Sequence, residues 1–168
     1  MLRKNSPTLP ASLVLLFGGL AWPAYATAFN LNIPAVTMIP KDNAPTLNST
    51  QDLLDPDGES GVYVAPVDLA AGEHICRLEL WARDFDADQE ITARLKRRQV
   101  SAAASFGAAT QTLAEISSSG AVDSVRKFAD TTINSNVVSS AYVYWVELEF
   151  FGGFYQALAI RLVYNTTC

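Results

Sequence analysis

An acidic run carries the residues whose spacing best fits metal chemistry. Asp84, Asp86 and Asp88 occupy alternate positions, and Glu90 continues the pattern. Carboxylate oxygens are among the six to eight oxygen ligands that Ca²⁺ takes in proteins. The EF-hand pattern fails, because Gln89 stands where that loop requires glycine. The run also separates two predicted strands, so we interpret it as an acidic, solvated turn. Ca²⁺ binding by the three aspartates is the alternative, and no other cofactor is predicted.

A second run is rich in aromatic side chains. Phe151, Phe154 and Tyr155 surround a Gly-Gly pair, and Trp145 lies nearby on the preceding predicted strand. Rings exposed on a loop form platforms for sugars or proteins, and an exposed apolar patch marks an interaction site. Ordinary packing over the end of the core is the favoured interpretation. These four residues are nevertheless the best candidates for a ligand or partner surface.

Catalytic chemistry has little support in this sequence. Glu147 and Glu149 share one face of a predicted strand, as the paired carboxylates of a glycosidase can. Glutamates on an exposed strand face are far commoner, and this is the favoured interpretation. The single histidine, His74, belongs to no local motif, and the patterns GxSxG, HExxH, P-loop and GxGxxG do not occur. The sequence therefore predicts no catalytic residues.

The charge balance disfavours nucleic acid as a partner. The chain has 168 residues, with 12 basic and 17 acidic side chains and a net charge of −5. Such a balance opposes nonspecific binding to nucleic acid or to anionic membranes. Arg94, Lys96 and Arg98 look basic together, but alternation places them on one strand face. We interpret that face as solvated, with a polyanion site as the alternative.

The first 28 residues have the pattern of a cleaved secretory signal. Arg3 and Lys4 precede an apolar run from Ala11 to Trp22, and Ala26-Thr27-Ala28 supplies small residues for cleavage. The apolar run is shorter than the roughly 20 residues that a membrane span needs. We therefore predict export to the periplasm or the extracellular space, and no membrane span in the mature chain. An uncleaved anchor is the alternative.

Two cysteines, Cys76 and Cys168, are the only ones in the chain. An even count in an exported protein predicts a disulfide. If the strand His74–Arg83 runs antiparallel to the last strand, the two cysteines lie opposite each other. That register would also place Leu80 opposite Tyr164.

Alternation of apolar and polar residues predicts an all-β fold. Residues 29–60 contain four prolines and are predicted to form an extended arm, with one short edge strand near Ala35–Ile39. Residues 61–168 are predicted to form one antiparallel β-sandwich, with jelly-roll and immunoglobulin-like topologies both compatible. The predicted strands are Val62–Pro66, His74–Arg83, Glu90–Val100, Ala109–Ser117, Val125–Ile133, Ala141–Phe150 and Ala157–Tyr164. A helix over Ala102–Ala114 is the alternative in the middle of the chain.

The last two strands are predicted to pair as a hairpin. A three-residue loop at the Gly152-Gly153 pair, with one glycine in the left-handed region, puts Val146 and Leu148 on the same face as Leu158 and Ile160. A two-residue loop would reverse that match.

One pattern resembles a loose group of uncharacterised exported bacterial proteins. It consists of Ala65-Pro66-Val67-Asp68-Leu69-Ala70-Ala71-Gly72, then Ile75, Leu78, Leu80 and Asp84, and then Leu95-Lys96-Arg97 and Ile160–Tyr164. Ala70 stands where that group often has proline. The resemblance implies a bacterial secreted β-sandwich, and it implies no known activity.

Three functional hypotheses follow from these patterns. The first is a non-catalytic exported protein that binds a protein or glycan partner. The second is a structural or assembly subunit of the cell envelope, in which the N-terminal arm adds to a neighbour's sheet. The third, least favoured, is a hydrolase that uses carboxylates.

Overall fold

Nine β-strands make up nearly all of the regular structure in the described part of the chain. The structure is a computed structural model that describes residues 28–42, 53–56, 58–100 and 109–168. The strands are β1 (Phe29–Pro34), β2 (Ile39–Lys41), β3 (Gly58–Val67), β4 (His74–Asp84), β5 (Ile91–Gln99), β6 (Gln111–Ser117), β7 (Val122–Asp130), β8 (Tyr142–Gly153) and β9 (Tyr155–Asn165). A 3-10 turn, Ala35–Thr37, separates β1 from β2.

The strands form two antiparallel sheets, which confirms the predicted sandwich. One sheet has the order β1–β9–β4–β7, and the other has the order β2–β3–β8–β5–β6. Apart from β2–β3 and β5–β6, consecutive strands lie in different sheets, so most connections cross from one sheet to the other. With β2 set aside, this is the eight-strand order of a jelly roll.

Alternation along β5 and β8 builds much of the core. Ile91, Ala93 and Leu95 are fully buried on β5, as their spacing predicts. The inward residues of β8 are also those predicted from the sequence: Tyr144, Val146, Leu148 and Phe150 are all buried. Each outward neighbour on these strands is polar or only partly covered, so a single hydrophobic interior lies between the sheets.

The predicted hairpin between the last two strands is wrong. Strand β8 pairs with β3 and β5, whereas β9 pairs with β1 and β4 in the opposite sheet. The Gly-Gly pair makes a crossing between sheets instead of a hairpin turn. Gly152 and Gly153 both have positive φ values, 87° and 110°. Glycine adopts that conformation without a Cβ clash, so it permits the sharp change of direction.

The pairing of β4 with β9 is as predicted in direction but not in register. Leu80 lies opposite Ile160 rather than opposite Tyr164. A shift in register between Ala159 and Ala157 leaves Leu158 without a partner on β4. That bulge turns Leu158 out of the core, whereas the sequence placed it on the same face as Ile160.

A disulfide joins Cys76 to Cys168, as predicted. The Cα atoms are 5.3 Å apart, and the two residues are separated by 92 positions in the sequence. The bond ties the C-terminal residue to the start of β4. Closing a loop of that length stabilises the fold by about 4–5 kcal/mol in the chain-entropy model.

The N-terminal segment differs from the edge strand predicted near Ala35–Ile39. Pro34 precedes a 3-10 turn at Ala35–Thr37, and the chain passes there from one sheet to the other. β1 pairs with β9 on one side of the sandwich, and β2 pairs with β3 on the other. The predicted signal peptide, apart from Ala28, lies outside the described residues, as does part of the predicted 29–60 arm.

The predicted strands in the middle of the chain are confirmed within a few residues. β6 covers Gln111–Ser117 and β7 covers Val122–Asp130. Residues 102–108 of the segment that could be read as a helix lie outside the described residues. Its last part, from Gln111, is strand.

Candidate functional site

Two clusters of residues that are far apart in the sequence meet at one end of the sandwich. The loop between β4 and β5 carries the acidic run, and the crossing between β8 and β9 carries the aromatic run. The Phe85 amide donates a hydrogen bond of 3.1 Å to the Phe154 carbonyl. The Gln89 amide, with its nitrogen toward the crossing, donates to the Phe151 and Gly152 carbonyls. Main-chain and side-chain contacts thus hold the two loops together.

Three phenylalanines are exposed at this end. Phe154 is 72% exposed, Phe151 is 47% exposed and Phe85 is 38% exposed. The side chains of Asp86 and Asp88 lie on the same loop as Phe85. We call the surface formed by these five residues the aromatic end. Phe85 was missed by the sequence reasoning, although its position between two aspartates of a turn was a signal for exposure.

Two of the four predicted surface residues do not belong to the aromatic end. Tyr155 is fully buried, and its ring lies 6.2 Å from the buried ring of Phe150. The prediction that Tyr155 is part of the surface is therefore wrong. Trp145 lies six residues before Phe151 on β8, which places it about 20 Å away. It is half-buried and borders a shallow groove beside Lys41 and Pro66.

The acidic run folds as consecutive side-chain-capped turns. The Asp84 carboxylate accepts hydrogen bonds from the Ser118 hydroxyl and, at 3.0 Å, from the Asp86 amide. The Asp86 carboxylate accepts a bond of 2.9 Å from the Asp88 amide. Asp84 itself is buried, at 2% exposed. Hydrogen bonds that an aspartate carboxylate accepts from the backbone amide two residues on are characteristic of turns.

The described part of the chain contains no group of three histidine, cysteine, aspartate or glutamate side chains that could hold a metal ion. The carboxylates of Asp84 and Asp86 are instead engaged with Ser118 and the loop backbone. Ca²⁺ binding by Asp84, Asp86 and Asp88 therefore has no geometric support in these loops.

The hydroxyl of Tyr155 lies beneath the acidic loop. It is buried and has no hydrogen-bond partner among the residues that the structure describes. Burial, followed by the negative charges of Asp86, Asp84 and Glu90, raises the pKa of Tyr155 to about 12. The phenol thus stays neutral under the acidic loop to a higher pH than an ordinary tyrosine does.

Gly153 allows the acidic loop to lie close to the crossing. A Cβ atom at this position would lie 2.7 Å from the Asp86 carboxylate and 3.1 Å from the Tyr155 ring. A larger residue at this position would therefore require the Asp86 carboxylate to move and the Tyr155 ring to shift by a few tenths of an ångström. The close packing of Asp86, Gly153 and Tyr155 fixes where the rings of the aromatic end are presented.

The paired glutamates that could suggest a hydrolase are used in cross-strand ion pairs. Glu147 is 4% exposed and contacts both Lys96 and Lys41. Burial opposes ionisation, but the hydrogen bonds and charges of Lys96 and Lys41 hold the pKa of Glu147 below its usual value. Glu149 contacts Arg94, which also contacts Glu115. The positive charges of Arg94 and Lys96 on β5 are thus neutralised by glutamates of β8 and β6.

A cleft lies at the opposite end of the sandwich. Its apolar lining includes Leu69 and Val138 from two connecting loops, and Tyr142 from the start of β8. The Tyr144 hydroxyl borders it and accepts a hydrogen bond of 2.9 Å from the Ser139 amide. This cleft contains none of the site residues predicted from the sequence.

Neither the family models nor the curated proteins contain a match to this chain. Among the described residues there is no helix with the length and apolar character needed to span a membrane.

Proposed function

We propose that this chain is an exported binding protein that engages a partner protein through the aromatic end. The observation that carries the proposal is the exposure of Phe85, Phe151 and Phe154 on two loops that are hydrogen-bonded to each other. A cluster of exposed large apolar side chains on a soluble domain is costly in water, and it commonly marks an interaction site. Because the loops are already held in place, little conformational entropy is lost when a partner binds.

The charge around the rings favours a partner with basic residues. Asp86 and Asp88 lie beside Phe85 in the β4–β5 loop, and the chain as a whole is acidic. A lysine or arginine can lay its aliphatic stem on an aromatic ring while its charged head meets a carboxylate. Arg83 already lies over the Phe85 ring, with its guanidinium carbon 4.8 Å from the ring centre. We therefore expect a partner segment that combines apolar and basic side chains.

Export is supported by the signal-like pattern of residues 1–28 and is compatible with the disulfide, since disulfides persist in oxidising compartments. In the assembly hypothesis, the N-terminal arm would leave its own chain and add to the sheet of a neighbouring molecule. Phe29–Pro34 pairs along its length with β9 of the same chain, so no specific observation favours that hypothesis.

Quantitative affinity capture from the envelope fraction of the producing cell tests the proposal. A double variant, Phe151→Ser with Phe154→Ser, removes two exposed rings without touching the core. We expect recovery of the partner to fall at least fivefold relative to wild type, because truncating a central aromatic contact costs about 1–2 kcal/mol or more. Val143→Ser is the matched control, since Val143 is 51% exposed on the same strand but lies far from the aromatic end.

Equal recovery of the same partner by wild type and both variants would contradict the proposal. A glycan array supplies the competing outcome. Binding to a sugar that is lost in Trp145→Ala but retained in the Phe151/Phe154 double variant would replace the protein-partner function with glycan binding at the β8 groove.

A further inference from the structure

The outer face of the β1–β9–β4–β7 sheet carries an unusual cluster of charges. Glu79 on β4 is 1% exposed, although it points away from the core. Three cations surround it: Arg77 at 2.8 Å, Lys127 at 3.4 Å and Arg161 at 3.5 Å. They come from three neighbouring strands, β4, β7 and β9. One carboxylate faces three positive charges, which leaves this cluster with a net charge of +2.

The cationic groups remain at the surface although they share a buried partner. The side chains of Arg77, Lys127 and Arg161 are 40%, 44% and 36% exposed. Trp81 holds two of them in place, since the Lys127 ammonium lies 5.9 Å and the Arg161 guanidinium 5.4 Å from its ring centre. A cation over an indole ring is favourably placed by the ring's quadrupole. We call Arg77, Glu79, Trp81, Lys127 and Arg161 the basic face.

Nearby acidic groups limit the extent of the basic face. Arg83, further along β4, is already paired with Asp123 and Gln156. Beyond it lies the acidic loop with Asp86 and Asp88, and Glu73 precedes the other end of β4. The positive surface is therefore about 20 Å long or less, given 3.3 Å per strand residue. Within a chain of net charge −5, it is a local and bounded exception.

We propose that the basic face is a second binding surface and that its ligand is an acidic polysaccharide. The exposed cations of Lys127 and Arg161, backed by an excess charge of +2, fit carboxylates that are spaced along a flexible polymer. Duplex DNA carries about one charge per 1.7 Å and would extend over the acidic loops at both ends, where it would be repelled. This site is separate from the aromatic end and does not depend on the partner function proposed there.

Binding of polygalacturonate to the full-length protein at low ionic strength tests the inference, with uncharged dextran and a DNA duplex as comparison polymers. We expect saturable binding to polygalacturonate, weakened by added salt, and no comparable binding to dextran or to DNA. The Lys127→Gln variant removes one exposed cation of the basic face. Its affinity should fall about threefold or more, as expected for loss of one partly exposed charge contact.

Two further variants separate a binding role from a structural one. Lys41→Gln produces the same change in net charge on the opposite sheet, and it should leave the affinity unchanged. Glu79→Gln removes the carboxylate that the three cations share, so the affinity should rise about threefold. A purely structural cluster would give no such gain. Thermal unfolding of each variant verifies that it is folded.

Quenching of tryptophan fluorescence gives a local readout. We expect the polymer to change the emission of wild type and of Trp145→Phe, but not that of Trp81→Phe. The inference is overturned if polygalacturonate does not bind, if dextran or DNA binds equally well, or if Lys127→Gln and Lys41→Gln lose affinity equally. Because the Lys127/Lys41 comparison does not need Glu79→Gln to fold, the test stands if that variant unfolds.

Discussion

The buried tyrosines Tyr155 and Tyr144 differ in the hydrogen bonding of their hydroxyl groups. Within the described part of the chain the Tyr155 hydroxyl has no hydrogen-bond partner, and it lies near the carboxylates of the acidic loop. The Tyr144 hydroxyl, in contrast, accepts a hydrogen bond from the Ser139 amide. An unpaired buried polar group costs free energy, whereas a paired one contributes about 0.5–1.5 kcal/mol.

We therefore predict opposite results for two matched variants. Tyr155→Phe should leave the free energy of unfolding unchanged or raise it, because it removes an unpaired group. Tyr144→Phe should lower it by about 1 kcal/mol, because the Ser139 amide loses its acceptor. Denaturant unfolding at pH 7 measures both. In an alkaline titration, Tyr155→Phe should also remove the phenol that ionises at about pH 12. A clear loss of stability in Tyr155→Phe would show that its hydroxyl is bonded in solution.

Glu147 makes the stability of the five-stranded sheet depend on pH. Its pKa is lowered in the folded state by Lys96 and Lys41, which outweigh the effect of burial. The stabilisation is present above the ordinary glutamate pKa, about 4.3, and is lost as the pH falls through the lower folded value. We predict that Glu147→Gln is less stable by about 1–3 kcal/mol at pH 7.

The difference between wild type and Glu147→Gln should shrink as the pH falls below about 4. Unfolding curves from pH 7 to pH 2 measure this convergence. Glu115→Gln, which removes a carboxylate that is 54% exposed, is the control and should show a smaller effect. A constant difference between wild type and Glu147→Gln at all pH values would rule out this role for the carboxylate.

The exposure of an individual site residue could be predicted from the sequence only where it depended on the residues next to it in the chain. Phe151 and Phe154 adjoin a glycine pair, and both are exposed as a loop surface requires. Tyr155 follows Phe154 directly but begins the next strand and points inward. Its direction depends on the path of the crossing, which local sequence does not reveal. The contact between Phe85 and Phe154 depends on the same path.

The crossing from β8 to β9 depends on one glycine more than on the others. Gly153 has φ of 110°, and a Cβ there would contact the Asp86 carboxylate at 2.7 Å. Gly120 also has a positive φ, 71°, but nothing lies within 4 Å of its Cβ position. Comparison of the two separates the cost of backbone conformation from the cost of crowding.

We predict that Gly153→Ala destabilises the fold by about 2–3 kcal/mol and Gly120→Ala by about 1 kcal/mol. The larger loss at Gly153 reflects displacement of the Asp86 carboxylate and the Tyr155 ring in addition to backbone strain. Thermal or denaturant unfolding of the two variants measures the difference. Equal losses would mean that Asp86 moves aside without cost and that the two loops are not tightly coupled.

The strands were predictable where their faces alternate, and their pairing was not. Side-chain direction repeats every two residues, so a shift of four residues leaves every side chain on the same face. This is why Leu80 was matched with Tyr164 instead of Ile160. The predicted direction of Leu158 was wrong for a different reason: a bulge on β9 interrupts the alternation of side chains. Neither feature has a signature in the pattern of apolar residues.

The jelly-roll connectivity explains how the candidate site is assembled. Loops that cross between the sheets gather at the two ends of the sandwich, so Phe85 and Phe154 become neighbours although they are far apart in the sequence. The disulfide between Cys76 and Cys168 ties the chain terminus near the other end of β4. The whole molecule thus presents exposed aromatic rings and carboxylates at one end and a cluster of cations on one outer face.

Site-specific photo-crosslinking in the producing cells tests the central claim most directly. A benzophenone amino acid replaces the exposed Phe154 in one strain and the exposed Val143 in another. We predict that position 154 forms a covalent adduct with a discrete partner, that Asp86→Asn with Asp88→Asn reduces its yield severalfold, and that position 143 does not form it. The same adduct from both positions, or none from position 154, would contradict a partner-binding role for the aromatic end.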